Sequence, residues 1–256
     1  MWKSEQKLTE QIATEKVKNI LVFGAGGTIG AAVLSQLATT FPAAQITGVS
    51  RRTLIAAPAS SNVRLHDCDY SSEDALTEFS ALYRSQHTHV DQLLITTGVL
   101  TATIDTPEKN AQQITETELL ENIRINAIIP ALIFKHFFQL LTLSSAPRFG
   151  ALSARIGSIS DNRLGGWYAY RMAKSALNMF IKTASLELKR KNKEGVVVGL
   201  HPGTVRTKFS ERFINNTTKN CFTPGVAASQ LIQVFESLTP PQSGGCFAFD
   251  GTEILP

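Results

Sequence analysis

The sequence predicts an α/β fold, a single-domain, doubly wound parallel sheet of about seven strands with helices on both faces. Three observations carry this expectation. Short runs rich in Val, Ile and Leu alternate with longer helical patterns. Several of these runs are apolar at consecutive positions, as strands covered on both faces are. A glycine-rich turn follows the first run directly.

In chain order, Asn19–Phe23 reads as the first strand and Ile29–Thr39 as the helix after it. Strands follow at Gln45–Val49 and Val63–His66, then a helix over Ser72–Ser85. Gln92–Ile95 is the next strand, and the run Thr117–Leu143 reads as one long helix. Gly150–Ser153, the helix Trp167–Arg190, Val196–Leu200, the helix Pro224–Leu238 and Cys246–Phe249 complete the alternation. No linker splits the chain. Residues 1–16 are expected to be a loosely held extension and 17–256 the one domain.

Composition excludes several classes. With 256 residues, 43% of them hydrophobic, and only three cysteines, the chain is neither a disordered nor a disulfide-built protein. Cys68, Cys221 and Cys246 lack metal-ligand spacing, so no metal is expected and reduced thiols are. The net charge of +4 is too small to argue for nucleic acid. Lys189, Arg190, Lys191 and Lys193 close a helix, where cations complement the macrodipole without needing a partner. The polar N-terminus does not read as a signal or transit peptide. Pro130, Lys135, His136 and Gln139 interrupt the longest apolar stretch, so no membrane span is expected. A cytoplasmic location is the default.

The turn after the first strand is Gly24-Ala25-Gly26-Gly27-Thr28-Ile29-Gly30. Glycines here allow a tight turn and close backbone approach to a pyrophosphate. The N–H groups at Gly27, Thr28, Ile29 and Gly30 open the helix toward that anion. Glycines also make ordinary strand-to-helix turns, but this position favours a dinucleotide. After the second strand comes Ser50-Arg51-Arg52, with no acid to meet ribose hydroxyls. Guanidinium groups suit the 2′-phosphate of NADP, which makes NAD the less favoured cofactor. Two solvated loop arginines are the plainer alternative.

Chemistry is expected from Gly165-Gly166-Trp167-Tyr168-Ala169-Tyr170-Arg171-Met172-Ala173-Lys174. On a helix Tyr170 and Lys174 share one face. An ammonium beside a phenol favours phenolate, so the expectation is a tyrosine pKa lowered toward working pH. Such a group gives a proton to a carbonyl oxygen or takes one from an alcohol. The pair alone is unspecific; its place on the helix after the fifth strand, downstream of a dinucleotide turn, gives it force.

With these motifs in this order, the chain resembles the short-chain dehydrogenase/reductase family, a single-domain Rossmann-type group. The stretch SARIGSISDNRLGGWYAYRMAKSALNM is similar to its C-factor-like and sniffer-like carbonyl reductases. The resemblance implies roles. Gly24 and Gly30 match the outer glycines of the turn, and Arg51 the position that often selects NADP. Asp69 matches the acid that meets the adenine amino group. Asn126 matches the asparagine that holds a relay water. Tyr170 matches the acid/base, and Lys174 the residue that binds the nicotinamide ribose. Pro202, Gly203, Val205 and Thr207 match the loop that meets the carboxamide and phosphate.

Four departures stand out. Phe23 replaces a common Thr, and Thr28 the middle glycine of the turn. Ile95-Thr96-Thr97-Gly98 keeps only Gly98 of the family's Asn-Asn-Ala-Gly. The fourth concerns the serine that polarises the carbonyl. Aligning SARIG on the family pattern puts Ala154 there, while counting back from Tyr170 by the usual spacing gives Ser158. Ser153 is adjacent, but is expected on the opposite face of its strand. Ser158 is the candidate taken here.

The expected activity is reduction of a small-molecule ketone or aldehyde with NADPH, or the reverse, by Tyr170, Lys174, Asn126 and Ser158. The alternative of another class is a non-catalytic NADP-binding regulator. An epimerase or dehydratase would share the Tyr/Lys chemistry, but the chain past Thr207 is too short for its substrate domain. The loop from Lys208 to Thr223, with Phe209, Phe213 and Phe222, and the pair Trp167–Tyr168 could line the substrate pocket or pack on the body. A homo-oligomer, dimer or tetramer, is expected because the helix from Ala127 to Leu143 is apolar on nearly every side.

Overall fold

The computed structural model describes residues 17–51, 60–207, 210 and 221–256. The expected N-terminal extension, Arg52, Phe209 and Phe213 lie outside them. Strand β1 (Asn19–Phe23) is buried at all five positions. Its side chains alternate between two cores: Leu21 and Phe23 face one, Ile20 and Val22 the other. That division is what a strand at the centre of a two-sided sheet requires.

Helix α1 (Thr28–Thr40) follows, then β2 (Gln45–Ser50), β3 (Val63–Asp67), α2 (Glu73–Gln86) and β4 (Gln92–Ile95). Helix α3 (Glu116–Ile123) runs through a π turn (Arg124–Ile128) into α4 (Ile129–Thr142). Beyond lie β5 (Arg148–Leu152), α5 (Tyr168–Lys191), β6 (Val196–His201), β7 (Thr204–Val205) and β8 (Cys221–Phe222). Helix α6 (Pro224–Ser237), β9 (Cys246–Ala248) and β10 (Glu253–Ile254) end the chain. The main sheet has eight strands in the order β10-β9-β6-β5-β4-β1-β2-β3. All its pairs are parallel except β9–β10. The eighth, antiparallel strand is only Glu253–Ile254, too short to leave a periodic signal.

Helices α1 and α6 cover one face through Leu34, Leu37, Leu231 and Phe235. Helices α2, α4 and α5 cover the other through Phe79, Phe137, Leu177 and Ile181. Phe23 packs edge-on against Tyr70, Phe79 and Phe137, with centroids 5.6–6.0 Å apart. It fills space between two layers, which explains an aromatic where a small polar residue is common.

The helical run Glu116–Thr142 is long and apolar enough to cross a membrane by composition. Here Ile133, Phe137, Leu140 and Leu141 are buried in the protein's own core, as interior helices are. The single helix expected over this run is continuous from Glu116 to Thr142, with one π turn inside it at Arg124–Ile128. Pro130 has no N–H to give the Asn126 carbonyl in α-helical register, so the ladder cannot continue regularly past that residue.

Candidate active site

The C-terminal ends of the central strands surround a cleft of about 500 Å³, a size typical of small-molecule sites. Strand β1 delivers the glycine turn to one end. Gly24 adopts φ +86°, and its N–H and that of Ala25 bind the Val49 carbonyl of β2, both at 3.0 Å. A Cβ on Gly30 would lie 2.1 Å from the Gly24 carbonyl oxygen, so only glycine permits this turn. Helix α1 then opens at Gly27 with no side-chain cap and no acid in its first turn. Gly27, Thr28 and Ile29 form cleft wall, with Thr96, Thr97 and Gly98 from the end of β4 facing them.

Helix α5 brings Tyr170 and Lys174 into the same cleft. Its start is tightly turned: Gly165, Gly166 and Trp167 all have φ between 54° and 65°. Arg171 holds that turn, donating to the carbonyls of Gly166 at 2.9 Å and Gly165 at 3.1 Å. Lys174 is 3% exposed. Its ammonium donates to the Leu152 carbonyl at 2.8 Å and lies 5.6 Å from the centre of the Tyr170 ring. The expected lowering of the tyrosine does not occur in this structure. Burial raises the Tyr170 phenol above its ordinary value, and burial draws Lys174 down to about 7. Spacing brings the two groups together, but desolvation disfavours both charged forms.

Asn126 sits behind the cleft wall. Its amide nitrogen donates to the Val99 carbonyl at 2.9 Å and to Asn122 Oδ1 at 2.7 Å. Asn122 in turn donates to Glu118 at 3.0 Å, whose carboxylate also accepts the Ala102 and Thr103 amides. Burial alone would raise Glu118, yet these hydrogen bonds hold it below the usual carboxylate range. Gly98 is the narrow point: a Cβ there would lie 3.0 Å from Asn126 Oδ1 and 3.6 Å from Lys174 Nζ.

Arg51 and Asp69 meet at the ends of β2 and β3, outside the cleft wall. The Arg51 guanidinium lies 5.8 Å from the centre of the Tyr70 ring. Hydrogen bonding from Ser71, aided by the Arg51 charge, holds the Asp69 carboxyl below its ordinary value. Pro202, Gly203, Val205 and Thr207 line the cleft as the chain leaves β6. Gly203 has φ +70°, and a Cβ there would lie 2.9 Å from the Phe222 ring. Phe222 itself stacks edge-on against Phe249 at 4.7 Å and forms no cleft wall. Trp167 does line the cleft.

Ser158 lies apart from the other expected catalytic groups. It is not among the residues lining the cleft; its hydroxyl accepts the Asp161 amide at 3.1 Å and lies 3.3 Å from that of Ser160. The turn Arg155–Gly157 carries it past the site. Ser153 and Ala154 line the cleft instead. Ser153 does not point away as expected: like Ala151 two residues before it, it faces α5, its Cβ 3.2 Å from where a Gly199 Cβ would be. Its hydroxyl donates to Asn178 Oδ1 at 2.6 Å. Among the cleft residues missed from sequence are Thr97 and His201, each with a buried polar side-chain atom lacking a partner. The only signal for His201 was its place directly before Pro202-Gly203.

A parallel sheet, a glycine turn opening a helix, and a Tyr/Lys pair across one cleft define a dinucleotide-fold oxidoreductase. The chain belongs to the short-chain dehydrogenase family, whose model matches residues 18–217. A short-chain dehydrogenase of Neurospora crassa is 29% identical over 206 residues, covering 78% of each chain. The C-signal protein of Myxococcus xanthus is 31% identical over 54% of this chain and 78% of its own. Among solved structures, the carbonyl reductase Sniffer of D. melanogaster matches with TM-score 0.82 and 24% identity, over 94% of this chain and all of that one. The NADPH-bound carbonyl reductase from chicken fatty liver matches with TM-score 0.80 and 20% identity, over 94% and 95%. At these identities the two structures bear on the fold alone. The family implies a nicotinamide cofactor, and the residues present fit one. At Gly24 and Gly30 the turn leaves no room for a Cβ, helix α1 opens uncapped, and the unpartnered Thr97 hydroxyl lines the same cleft.

Proposed function

We propose that the protein reduces a ketone or aldehyde to an alcohol, or runs the reverse reaction, with NADP(H) as its cofactor. The observation that carries this reading is the placing of Tyr170 and Lys174 in the same cleft as the glycine turn. NADPH, when bound, supplies hydride to the carbonyl carbon. Tyr170, kept protonated by burial, gives its proton to the developing alkoxide. Lys174, drawn down to about 7, is poised to resupply that proton and to meet the nicotinamide ribose. Asn126 holds Val99 in place, and its carbonyl, which Pro130 cannot meet in α register, is the acceptor for a relay water. Preference for NADP over NAD rests on Arg51 and on the absence of an acid after β2.

We also propose a homo-oligomer, for a different reason than the one first expected. The helix from Ala127 to Leu143 is largely covered by its own core, whereas Met172, Met179 and Leu186 repeat every seven residues along α5 and are exposed. A second copy of this chain would cover that stripe.

The reductase reading is tested by turnover of NADPH against a panel of aldehydes, ketones and diketones. Tyr170→Phe should lower kcat about 10²–10⁴-fold with NADPH binding retained. Equal turnover by the variant removes the assignment. The rival reading, a non-catalytic NADP-binding regulator, draws on the missing hydroxyl at Ala154 and predicts binding without turnover in the same assay.

A further inference from the structure

A carbonyl oxygen that becomes an alkoxide is best served by more than one hydrogen-bond donor aimed at it. Tyr170 supplies one. Ala154 offers only a methyl group, the Ser153 hydroxyl is spent on Asn178 Oδ1, and Ser158 forms no cleft wall. The cleft has another polar group that the reaction as described does not use: the imidazole of His201, whose Nδ1 is buried without a partner.

Three structural relations place that ring. The β5–β6 register pairs Leu152 with Leu200, and the Ser153 amide binds the Leu200 carbonyl at 2.9 Å, so His201 stands abreast of Ser153 and Ala154. By strand alternation His201 shares a face with Gly199. That face is covered by α5, since Ile181 Cδ1 lies 3.3 Å from where a Gly199 Cβ would be. The imidazole is therefore on the side of the sheet from which Tyr170 and Lys174 enter. Burial, followed by the charges of Arg155 and Lys174, pushes His201 down to about 4, so its ring is neutral near pH 7. A neutral imidazole carries one N–H, and an enclosed N–H without an acceptor is the costlier orphan. The proton therefore belongs on Nε2 rather than on the enclosed Nδ1, which makes the ring a donor.

We propose that His201 is the second hydrogen-bond donor to the substrate oxygen, acting with Tyr170 in place of the hydroxyl that Ala154 lacks. This assignment rests on the carbonyl-reductase reading.

The test compares wild type, His201→Phe, His201→Gln and the double variant His201→Phe/Ala154→Ser, with NADPH binding by fluorescence as the check on folding. His201→Phe should bind NADPH as wild type does and lose about 10²-fold in kcat, with KM little changed. His201→Gln, which keeps a donor, should lose less. Ala154→Ser should return about tenfold of the kcat lost in His201→Phe, a rescue that a merely structural histidine would not show. Wild-type turnover by His201→Phe overturns the proposal, and so does a loss that neither glutamine nor the added serine relieves. If His201→Phe fails to bind NADPH, the kcat of His201→Gln decides, and a loss as large as that of Tyr170→Phe overturns the proposal. A wild-type protein that binds NADPH yet reduces no carbonyl overturns the reductase reading itself, before any His201 variant is compared.

Discussion

Glu108 accepts the Trp167 amide on its main-chain oxygen at 2.6 Å, while its carboxylate accepts the Ala169 amide at 3.3 Å. A buried acid from a distant loop thus closes the start of the helix that carries Tyr170 and Lys174. Trp167, at φ 54°, cannot cap the helix with its own side chain. Glu108→Ala keeps the main-chain contact and removes the carboxylate. It should cost about 1–2 kcal/mol in urea unfolding with an unchanged m-value.

The glycine turn gives a graded prediction. Gly30→Ala places a Cβ 2.1 Å from the Gly24 carbonyl oxygen, whereas Gly27→Ala places one at 3.3 Å. The first must distort the turn, and NADPH titration by fluorescence should show binding lost. The second should retain binding within about tenfold, a difference of ~1.4 kcal/mol. Equal binding by both variants would show that the turn does not hold the cofactor.

Arg51 makes the cofactor preference measurable. Removing a guanidinium that meets a phosphate forfeits a charge-assisted hydrogen bond, about 1.5–3 kcal/mol. Arg51→Ala should therefore weaken NADPH binding about 10–100-fold and leave NADH binding nearly unchanged. Parallel losses for both nucleotides would assign Arg51 a structural part beside Tyr70.

Lys174 makes stability depend on pH. Its folded value is about 7, against 10.5 for the free side chain. Between those values the unfolded chain binds a proton that the folded chain does not, so this residue's contribution to stability rises with pH across that window. The gain from pH 7 to pH 9 is on the order of 2 kcal/mol. Lys174→Met should flatten the rise in urea unfolding followed at both pH values.

Core packing offers a control far from the chemistry. Phe137 is fully buried and meets Phe23 and Tyr83 edge-on, at 5.6 and 5.7 Å. Phe137→Ala should cost about 3–5 kcal/mol in thermal or urea unfolding.

The central strands were legible in the sequence because burial on both faces writes unbroken apolar runs such as Asn19–Phe23. The glycine turn and the Tyr170/Lys174 spacing were legible because each lies within one local element. What depended on the path between elements was not. Counting back from Tyr170 assumed a plain connection to β5, but the Arg155–Gly157 turn and the left-handed Gly165–Trp167 step lie between. Ala154, reached by aligning outward from the strand instead, does line the cleft. The π turn at Asn126 was hidden because Ile123, Ile125, Ala127 and Ile128 carry a helical pattern across it, with no glycine or proline inside it. Desolvation of Tyr170 was hidden because spacing reports proximity and says nothing of the surrounding solvent. His201 needed the β5–β6 register, which no single segment contains.

Strand β1 pairs with β2 on one edge and β4 on the other. As the chain leaves the ribosome, β2 is the next strand after β1, but the other edge of β1 stays open until β4 has been made. Until then one apolar strand edge can pair with any neighbouring chain, the opening step of aggregation. The same centrality that sets the glycine turn between two neighbouring strands thus leaves an exposed edge on every unfinished chain until β4 emerges.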